Sequence, residues 1–380
     1  MDSLSEARVV EPANEPEVSE ALRAANQQGL AVIPRGGGTK LDWGNPPSRA
    51  DVILSTAKLH RVLEHAWADL TVTVEAGCTV ADLQRTLAQH GQRLAIDVLW
   101  PERATIGGML STNDSGALRL AYGSLRDLII GVTLVLADGT IARSGGKVVK
   151  NVAGYDLPKL ATGAMGTLGV ITQAVFRLHP LPRNARTLSV AGGNPEIAQA
   201  LLLTLESATL AHTSLQARFA ADAEPQIDIL LEGTEAGIAS QEERVRELAR
   251  KAAVTEAPPD VWRSRERLAE ASAVAKFSVL PSQIGKTIGA IERLARADWR
   301  AVVQGTGVGW LSLDAPLREL RAQVESDGGS LMRVRAAAHG AAPQEDAWGE
   351  AGDALPLMRA LKHQLDPRST LNPGRFVGGI

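Results

Sequence analysis

The spacing of apolar and polar residues in the first ninety positions alternates between helical and extended periods. Residues 17–28 (EVSEALRAANQQ) predict a helix, with Gly29 as its C-terminal stop. Residues 30–34 form a short apolar strand that runs into the loop RGGGTKLDWGNPP, and residues 51–54 form another strand. Residues 71–75 alternate and predict a strand, and Gly77 turns the chain. Thr79 caps a helix that reaches about Gln89 and stops at Gly91. Helix and strand in alternation indicate an α/β or α+β domain. Residues 97–127 read as loop and short helix, and 128–136 as a strong strand. An Asp138-Gly139 turn then leads into a paired strand from Ile141 to Arg143. Residues 150–160 read as loop then helix, and 169–178 as a strand. Pro180 and Pro182 end the domain, which we bound at residues 1–183.

Beyond that point helical spacing dominates, at 195–208, 236–252, 262–275, 283–297 and 315–326. Strands at 226–232 and 301–304 fall between them, and Pro258-Pro259 marks a connector. We read 184–360 as a second α+β domain and 361–380 as a tail of helix then turns.

Composition narrows the function. Hydrophobic residues make up 44%, charged residues 22%, and the formal net charge is −3. Such a chain builds an aliphatic core and lacks the basic footprint of a nucleic-acid binder. Cys78 is the sole cysteine. It excludes an internal disulfide and any iron–sulfur cluster held by this chain alone. No signal pattern opens the chain and no apolar run approaches about 18 residues, so a cytoplasmic location is expected. Peripheral association with an inner membrane through partners stays open.

Five short elements carry candidate chemistry. Pro34-Arg35-Gly36-Gly37-Gly38-Thr39 follows a strand, and successive glycines expose backbone N–H groups suited to a diphosphate. A Walker A loop does not fit, because Thr39 separates Gly38 from Lys40. A Rossmann G-x-G-x-x-G does not fit, because Leu41 stands where its last glycine belongs. A lone glycine triplet is more often a flexible turn. The other elements are Thr105 to Gly116 (TIGGMLSTNDSG), Gly123 to Asp127, Lys150 to Leu157 (KNVAGYDL) and Gly163 to Thr172 (GAMGTLGVIT). Small hydroxyl residues among glycines can donate to phosphate oxygens without bulk.

In this order and spacing, residues 32–182 resemble the FAD-binding domain of the vanillyl-alcohol oxidase and p-cresol methylhydroxylase (PCMH) superfamily. KNVAGYDLPKL, GTLGVIT and the C-terminal LDP…LNPGRF resemble, more closely, the FAD-binding E subunit of bacterial glycolate oxidase. The resemblance implies an α+β chain: a PCMH-type domain of two α/β subdomains, then a C-terminal α+β domain with an antiparallel sheet. It implies that Pro34, Arg35, Gly36, Gly37, Gly38 and Thr39 cradle the FAD pyrophosphate. Pro101, Thr105, Ile106, Gly107, Gly108, Thr112, Ser115 and Gly116 would follow the pyrophosphate and ribityl chain, with Gly123 and Arg126 close by. Gly163, Gly166 and Gly169 would permit close approach, and the backbone at Val170 and Ile171 would meet the adenine. Relatives that tether FAD use a His in or near the first glycine loop. Thr39 and Lys40 stand there, which implies non-covalent FAD.

The resemblance also implies partners: a sister, catalytic FAD subunit, an iron–sulfur subunit and a small 2-hydroxy acid substrate. No metal is expected. Stand-alone 2-hydroxy-acid dehydrogenases carry an H-x-G-D-G-N-x-H type motif in the second domain. Here Gly305-Thr306-Gly307-Val308-Gly309-Trp310 lacks its histidines, and Ala164-Met165-Gly166 replaces a Ser-Glu-Gly. Hydride transfer to flavin needs a base for the hydroxyl proton and a cation for the carboxylate. His339, beside Arg333 and Arg335, is the sole such set, and the favoured reading is that His339 caps or packs near a strand end while the arginines are solvated. Tyr155 and Asp156 either face the flavin or, for Asp156, cap the next turn. Two rival readings stand beside the subunit reading: an independent FAD-dependent 2-hydroxy-acid (D-lactate type) dehydrogenase, and a non-catalytic scaffold.

Overall fold

A computed structural model describes residues 6–146, 155–295, 298–313, 315–335 and 346–380. The chain divides into two compact units. One comprises Met1–Ser115, Gly123–Leu181 and Asp346–Ile380; the other comprises Gly116–Tyr122 and Pro182–Glu345.

In the first unit, β1 (Arg8–Val10), α1 (Glu15–Gln28), β2 (Val32–Arg35) and β3 (Val52–Ser55) open the chain. The three strands pair in parallel, in the order β1-β3-β2. Asn14 caps α1 by accepting from the Glu17 N–H, and Gly29 closes it in the left-handed region at φ +66°. Val18, Leu22 and Ala25 form the buried stripe of α1, three and four residues apart. Next come β4 (Val62–Ala66), β5 (Thr71–Glu75), α2 (Val80–Ala88), β6 (Gln92–Arg93) and α3 (Ile106–Thr112). The short helix α4 (Arg119–Tyr122) is counted with the second unit. The first unit continues with α5 (Leu125–Leu128), β7 (Ile129–Val135), β8 (Ile141–Gly145), α6 (Leu157–Ala161), β9 (Val170–Arg177) and β10 (His179–Pro180).

A five-stranded antiparallel sheet runs β4-β5-β9-β7-β8. Val72, Val74, Leu83, Leu87, Met109, Leu110 and Phe176 pack in its core. A smaller cluster joins α1 and the parallel sheet to Val135 and Val170 at the ends of β7 and β9. The Asp138-Gly139 turn forms as expected, with Gly139 at φ +85° and Asp138 accepting from the Thr140 N–H.

The second unit is built on β11 (Asn184–Ala191), α7 (Pro195–Ser207), β12 (His212–Ala220), β13 (Gln226–Gly233), α8 (Glu235–Ala249) and β14 (Val254–Glu256). It continues with α9 (Ser264–Ala269), β15 (Val274–Ser278), α10 (Ile284–Leu294), β16 (Trp299–Gln304), β17 (Val308–Leu313), α11 (Leu317–Ser326) and β18 (Ser330–Arg335). Eight antiparallel strands run β14-β11-β13-β12-β16-β17-β15-β18. Alternate residues, such as Leu215, Ala217 and Phe219 on β12, meet helices α7, α8, α10 and α11 in one core.

The expected helix over 262–275 is corrected. It stops at Ala269, and Val274 begins β15. Ala275 and Phe277 are needed in the core on the strand period, and strand pairing overrides helix propensity. Arg335 donates to the carbonyls of Ala269 and Ala271 and so serves that helix end.

The chain re-enters the first unit at Asp346, ahead of the 361 boundary drawn from sequence. Asn45 and Trp348 pin it there: Ala347 N–H donates to Asn45 Oδ1, and Trp348 Nε1 donates to the Arg375 carbonyl. After α12 (Leu355–Leu365), residues 370–372 lie along β2. Val32 N–H donates to the Thr370 carbonyl at 2.7 Å, and Asn372 N–H to the Val32 carbonyl at 3.0 Å. Buried Lys362 locks the turn by donating to Asp366 at 2.6 Å and to the carbonyls of Thr167 and Leu371. Among the described residues, no helix is long and apolar enough to cross a membrane.

Candidate functional site

β2 delivers the chain into Gly36-Gly37-Gly38, and the loop lies flush against residues 103–105. A Cβ on Gly37 would overlap the Arg103 carbonyl oxygen, and one on Gly36 would overlap Thr105 Oγ1. Only glycine fits such an approach. Among the described residues, no protein acceptor takes the backbone N–H groups of Gly36, Gly37, Gly38 or Thr39. These four consecutive donors line a cleft of about 680 Å³ that opens to solvent. A run of backbone N–H groups without protein acceptors in a concavity is a site for an anion.

The other walls come from distant parts of the first unit. Thr105 caps α3, and its face turned to the cleft carries Gly107, Gly108, Ser111 and Thr112. Thr112 Oγ1 donates to the Gly108 carbonyl. Met165, Gly166 and Gly169 lead into Val170 and Ile171 of β9. Met165 sits at φ +54°, and its N–H donates to the Ser111 carbonyl, joining these two walls. Lys40 is buried, paired with buried Asp114 at 3.2 Å, and its ammonium lies 5.7 and 5.8 Å from the Trp43 and Trp100 ring centres. From the returning tail, Asn372 and Arg375 complete the lining. Arg375 donates to the carbonyls of Lys40 and Leu41, and burial pushes its guanidinium down to about 10.

Fourteen of the residues expected from sequence line this cleft: Pro34, Arg35, Gly36, Gly37, Gly38, Thr39, Thr105, Gly107, Gly108, Thr112, Gly166, Gly169, Val170 and Ile171. Seven others do not. Pro101 accepts from Ala81 N–H at the start of α2, and Ile106 is fully buried in the core. Ser115 is buried, and Gly116 is counted with the second unit. Gly123 sits at φ +84° against Asp127 in the turn before α5. Arg126 donates to the Thr162 carbonyl, and the Gly163 N–H to that of Leu110. Sequence reasoning missed Lys40, Leu41, Thr56, Ser111, Met165, Asn372 and Arg375. Lys40 and Leu41 merely extend the glycine loop. The signal for Asn372 and Arg375 was the LNPGRF run itself.

Of the weak catalytic candidates, Tyr155 and Arg335 do not line the cleft. His339 and residues 150–154 of the fourth element lie outside the described residues. Tyr155 is 90% exposed, and Arg335 is engaged at the end of α9. Asp156 caps α6 by accepting from Lys159 N–H, the capping role that sequence offered as one alternative. Its carboxyl is held below its ordinary value: burial acts upward, and the bonds from Lys159 outweigh it. Among the described residues, no group of three His, Cys, Asp or Glu is placed to hold a metal ion.

Free backbone N–H groups, small hydroxyls and a buried guanidinium fit the pyrophosphate of a dinucleotide, and their parallel-sheet and antiparallel-sheet supports are similar to those of PCMH-type FAD-binding enzymes. Residues 7–145 match a family model described as FAD binding domain (FAD_binding_4), and the cofactor of this domain is FAD. The chain is 35% identical over 208 residues to glycolate oxidase subunit GlcD of Bacillus subtilis, covering 55% of this chain and 44% of that protein. It is 40% identical over 183 residues to a D-lactate dehydrogenase of Archaeoglobus fulgidus, covering 48% and 41%. It is 36% identical over 194 residues to the mitochondrial D-2-hydroxyglutarate dehydrogenase of Bos taurus, covering 51% and 35%. The chain thus spans less than half the length of these relatives. In fold it is similar to alkyldihydroxyacetonephosphate synthase, with a TM-score of 0.70 at 20% identity, covering 96% of this chain and 75% of that one.

Proposed function

We propose that this chain is the FAD-binding subunit of a complex that oxidises glycolate to glyoxylate and passes the electrons to an iron–sulfur partner. The observation that carries the reading is the cleft, in which unpartnered N–H groups of a triple-glycine loop face hydroxyls and a buried arginine. The likeness to a protein named as a glycolate oxidase subunit supports the substrate class. When bound, FAD supplies a two-electron acceptor.

The chain's own residues hold and orient that group. Gly36 to Thr39 would donate to its anionic centre, and Thr105 and Ser111 would offer hydroxyls along it. Ile171 and Val170 give an apolar surface for its flat end. Among the described residues no His, Cys or Tyr lines the cleft, which supports a cofactor held without a covalent bond. In the second unit, residues 305–312 (GTGVGWLS) put Gly305 and Ser312 where an H-x-G-D-G-N-x-H type motif would carry its histidines. Their absence supports a sister subunit as the acceptor of the substrate's hydroxyl proton.

The D-lactate and D-2-hydroxyglutarate dehydrogenases among the relatives favour a second reading, an enzyme complete in one chain. Anaerobic mixing with glycolate, D-lactate and D-2-hydroxyglutarate separates the two. The subunit reading predicts that the FAD-loaded chain keeps its visible flavin absorption alone and bleaches with glycolate only alongside its sister subunit. Bleaching of the isolated chain by any of the three overturns it.

A further inference from the structure

We propose that the second unit carries a binding site of its own, for an organic carboxylate with an apolar body, in a cavity on the sheet face opposite its helical core. The cavity shares no lining residue with the cleft of the first unit, and the inference stands apart from the FAD reading of that cleft.

The strand period decides which side chains face the cavity. Ala217, Phe219, Ala301 and Val303 belong to the core packed against the helices. Their neighbours Arg218, Ala220, Arg300 and Val302 therefore project from the opposite face. Register sets these side by side, since Arg218 pairs with Val302 and Ala220 with Arg300. α9 covers the same face: its Arg265 lies over Trp310, the β17 residue paired with Val302. From α9, Arg267 and Leu268 complete the wall. Buried Leu268 and Val302 make an apolar floor, and neither belongs to the helical core. Ala220 on the sheet and Ala271 after α9 are too short to fill the gap, and about 1220 Å³ stays open to solvent.

Three guanidinium groups reach this space from three elements. Arg218 is fixed by Asp228, which is 0% exposed and accepts from Arg218 Nε at 2.7 Å and Nη2 at 3.0 Å. Asp228 also accepts from Ser189 Oγ and Gln216 Nε2, so both its oxygens are engaged and the fork is held rigid. Arg218 Nη1 has no protein acceptor among the described residues. Arg300 is exposed, and among the described residues it has no hydrogen-bond or ion-pair partner. It stands diagonally across the ladder from Arg218, within reach of a long side chain. Arg267 makes only a 3.3 Å contact to Asp260 and a 3.0 Å bond to Ser264 Oγ. A carboxylate between these groups accepts from a preformed fork and relieves the repulsion of neighbouring cations. Glu224 and Asp298 also line the cavity, and Glu224 accepts from the Gly193 N–H. Their charges disfavour a polyanion, so the site suits a single carboxylate whose apolar part rests on Leu268 and Val302.

The test is calorimetric titration of the full-length chain, with FAD in excess, using benzoate as the probe. Benzamide supplies the same shape without the charge, and inorganic phosphate supplies charge without the ring. The proposal expects saturable binding of one benzoate, with benzamide and phosphate weaker by about ten-fold or more. Arg300→Gln and Arg267→Gln, both at exposed side chains, should each weaken benzoate about three-fold, and the double variant about ten-fold. Arg244→Gln, an exposed residue of α8 paired with Glu247, should bind as wild type. Melting temperatures should stay within about 2 °C. Absence of saturable benzoate binding overturns the proposal, as does benzamide or phosphate binding as tightly. These comparisons use the wild-type chain and so do not depend on how any variant folds. Unchanged benzoate affinity in the double variant also overturns it.

Discussion

Gly37 shows how a single hydrogen atom in place of a methyl group decides a site. A side chain there meets the Arg103 carbonyl, a backbone atom that cannot rotate away. Gly37→Ala must therefore lift the loop and misdirect the N–H groups of residues 36–39. FAD affinity should fall at least about a hundred-fold, the loss expected when two or more charge-assisted bonds go together, and equilibrium dialysis measures it. Glu75 is a second residue with a defined signature. Burial pulls its carboxyl upward, but the side-chain and backbone bonds from Arg61 outweigh this and hold it below its ordinary 4.5. Its contribution is full above pH 4.5 and is lost as pH falls through the lowered folded-state value. Glu75→Gln should cost about 1–3 kcal/mol near neutral pH. The difference from wild type should shrink on acidification, as followed by urea unfolding across the acid range. At this scale the sequence was informative where chemistry is local. The triple glycine, the Thr79 cap that accepts from Asp82 N–H, and the capping role of Asp156 all rest on neighbours within a few residues. Asn372 and Arg375 were opaque as cleft-lining residues because they reach the cleft only through a return of the chain to β2.

Among elements, β15 and β17 show where periodicity misled. The run from Ala269 to Phe277 has helix-forming composition, yet its last residues complete a central sheet. Phe277 pairs with Gly309 across the two strands, and its ring covers the glycine, where an added Cβ would overlap it. Gly309 thus marks a packing site for an aromatic ring, which no reading of β17 alone reveals. Gly309→Ala should destabilise the second unit by about 1–3 kcal/mol through overpacking. In a Phe277→Ala background, itself costing about 3–5 kcal/mol, the same change should cost nothing more. A double-mutant cycle by chemical unfolding reads the coupling, and additive losses would show that the ring and the glycine are independent. The glycine-bounded strands of the first unit were legible because turns such as Asp138-Gly139 punctuate them. The order of eight strands in the second unit was not, since pairing between strands far apart in sequence leaves no local trace.

For the whole molecule, the first unit is assembled from three stretches of chain, and its cleft draws on residues 34–41, 56, 105–112 and 165–171 and on the tail. That arrangement explains why the sequence resemblance was strongest over 100–180 and 360–376: both stretches build one site. The central claim is that this unit binds FAD tightly and without a covalent bond. The most direct test reconstitutes the purified full-length chain with FAD, removes excess cofactor, and then precipitates the protein with acid. The account predicts one flavin per chain before precipitation and all of it free in the supernatant afterwards. Flavin that stays with the precipitated protein, or a chain that retains none after reconstitution, would contradict it.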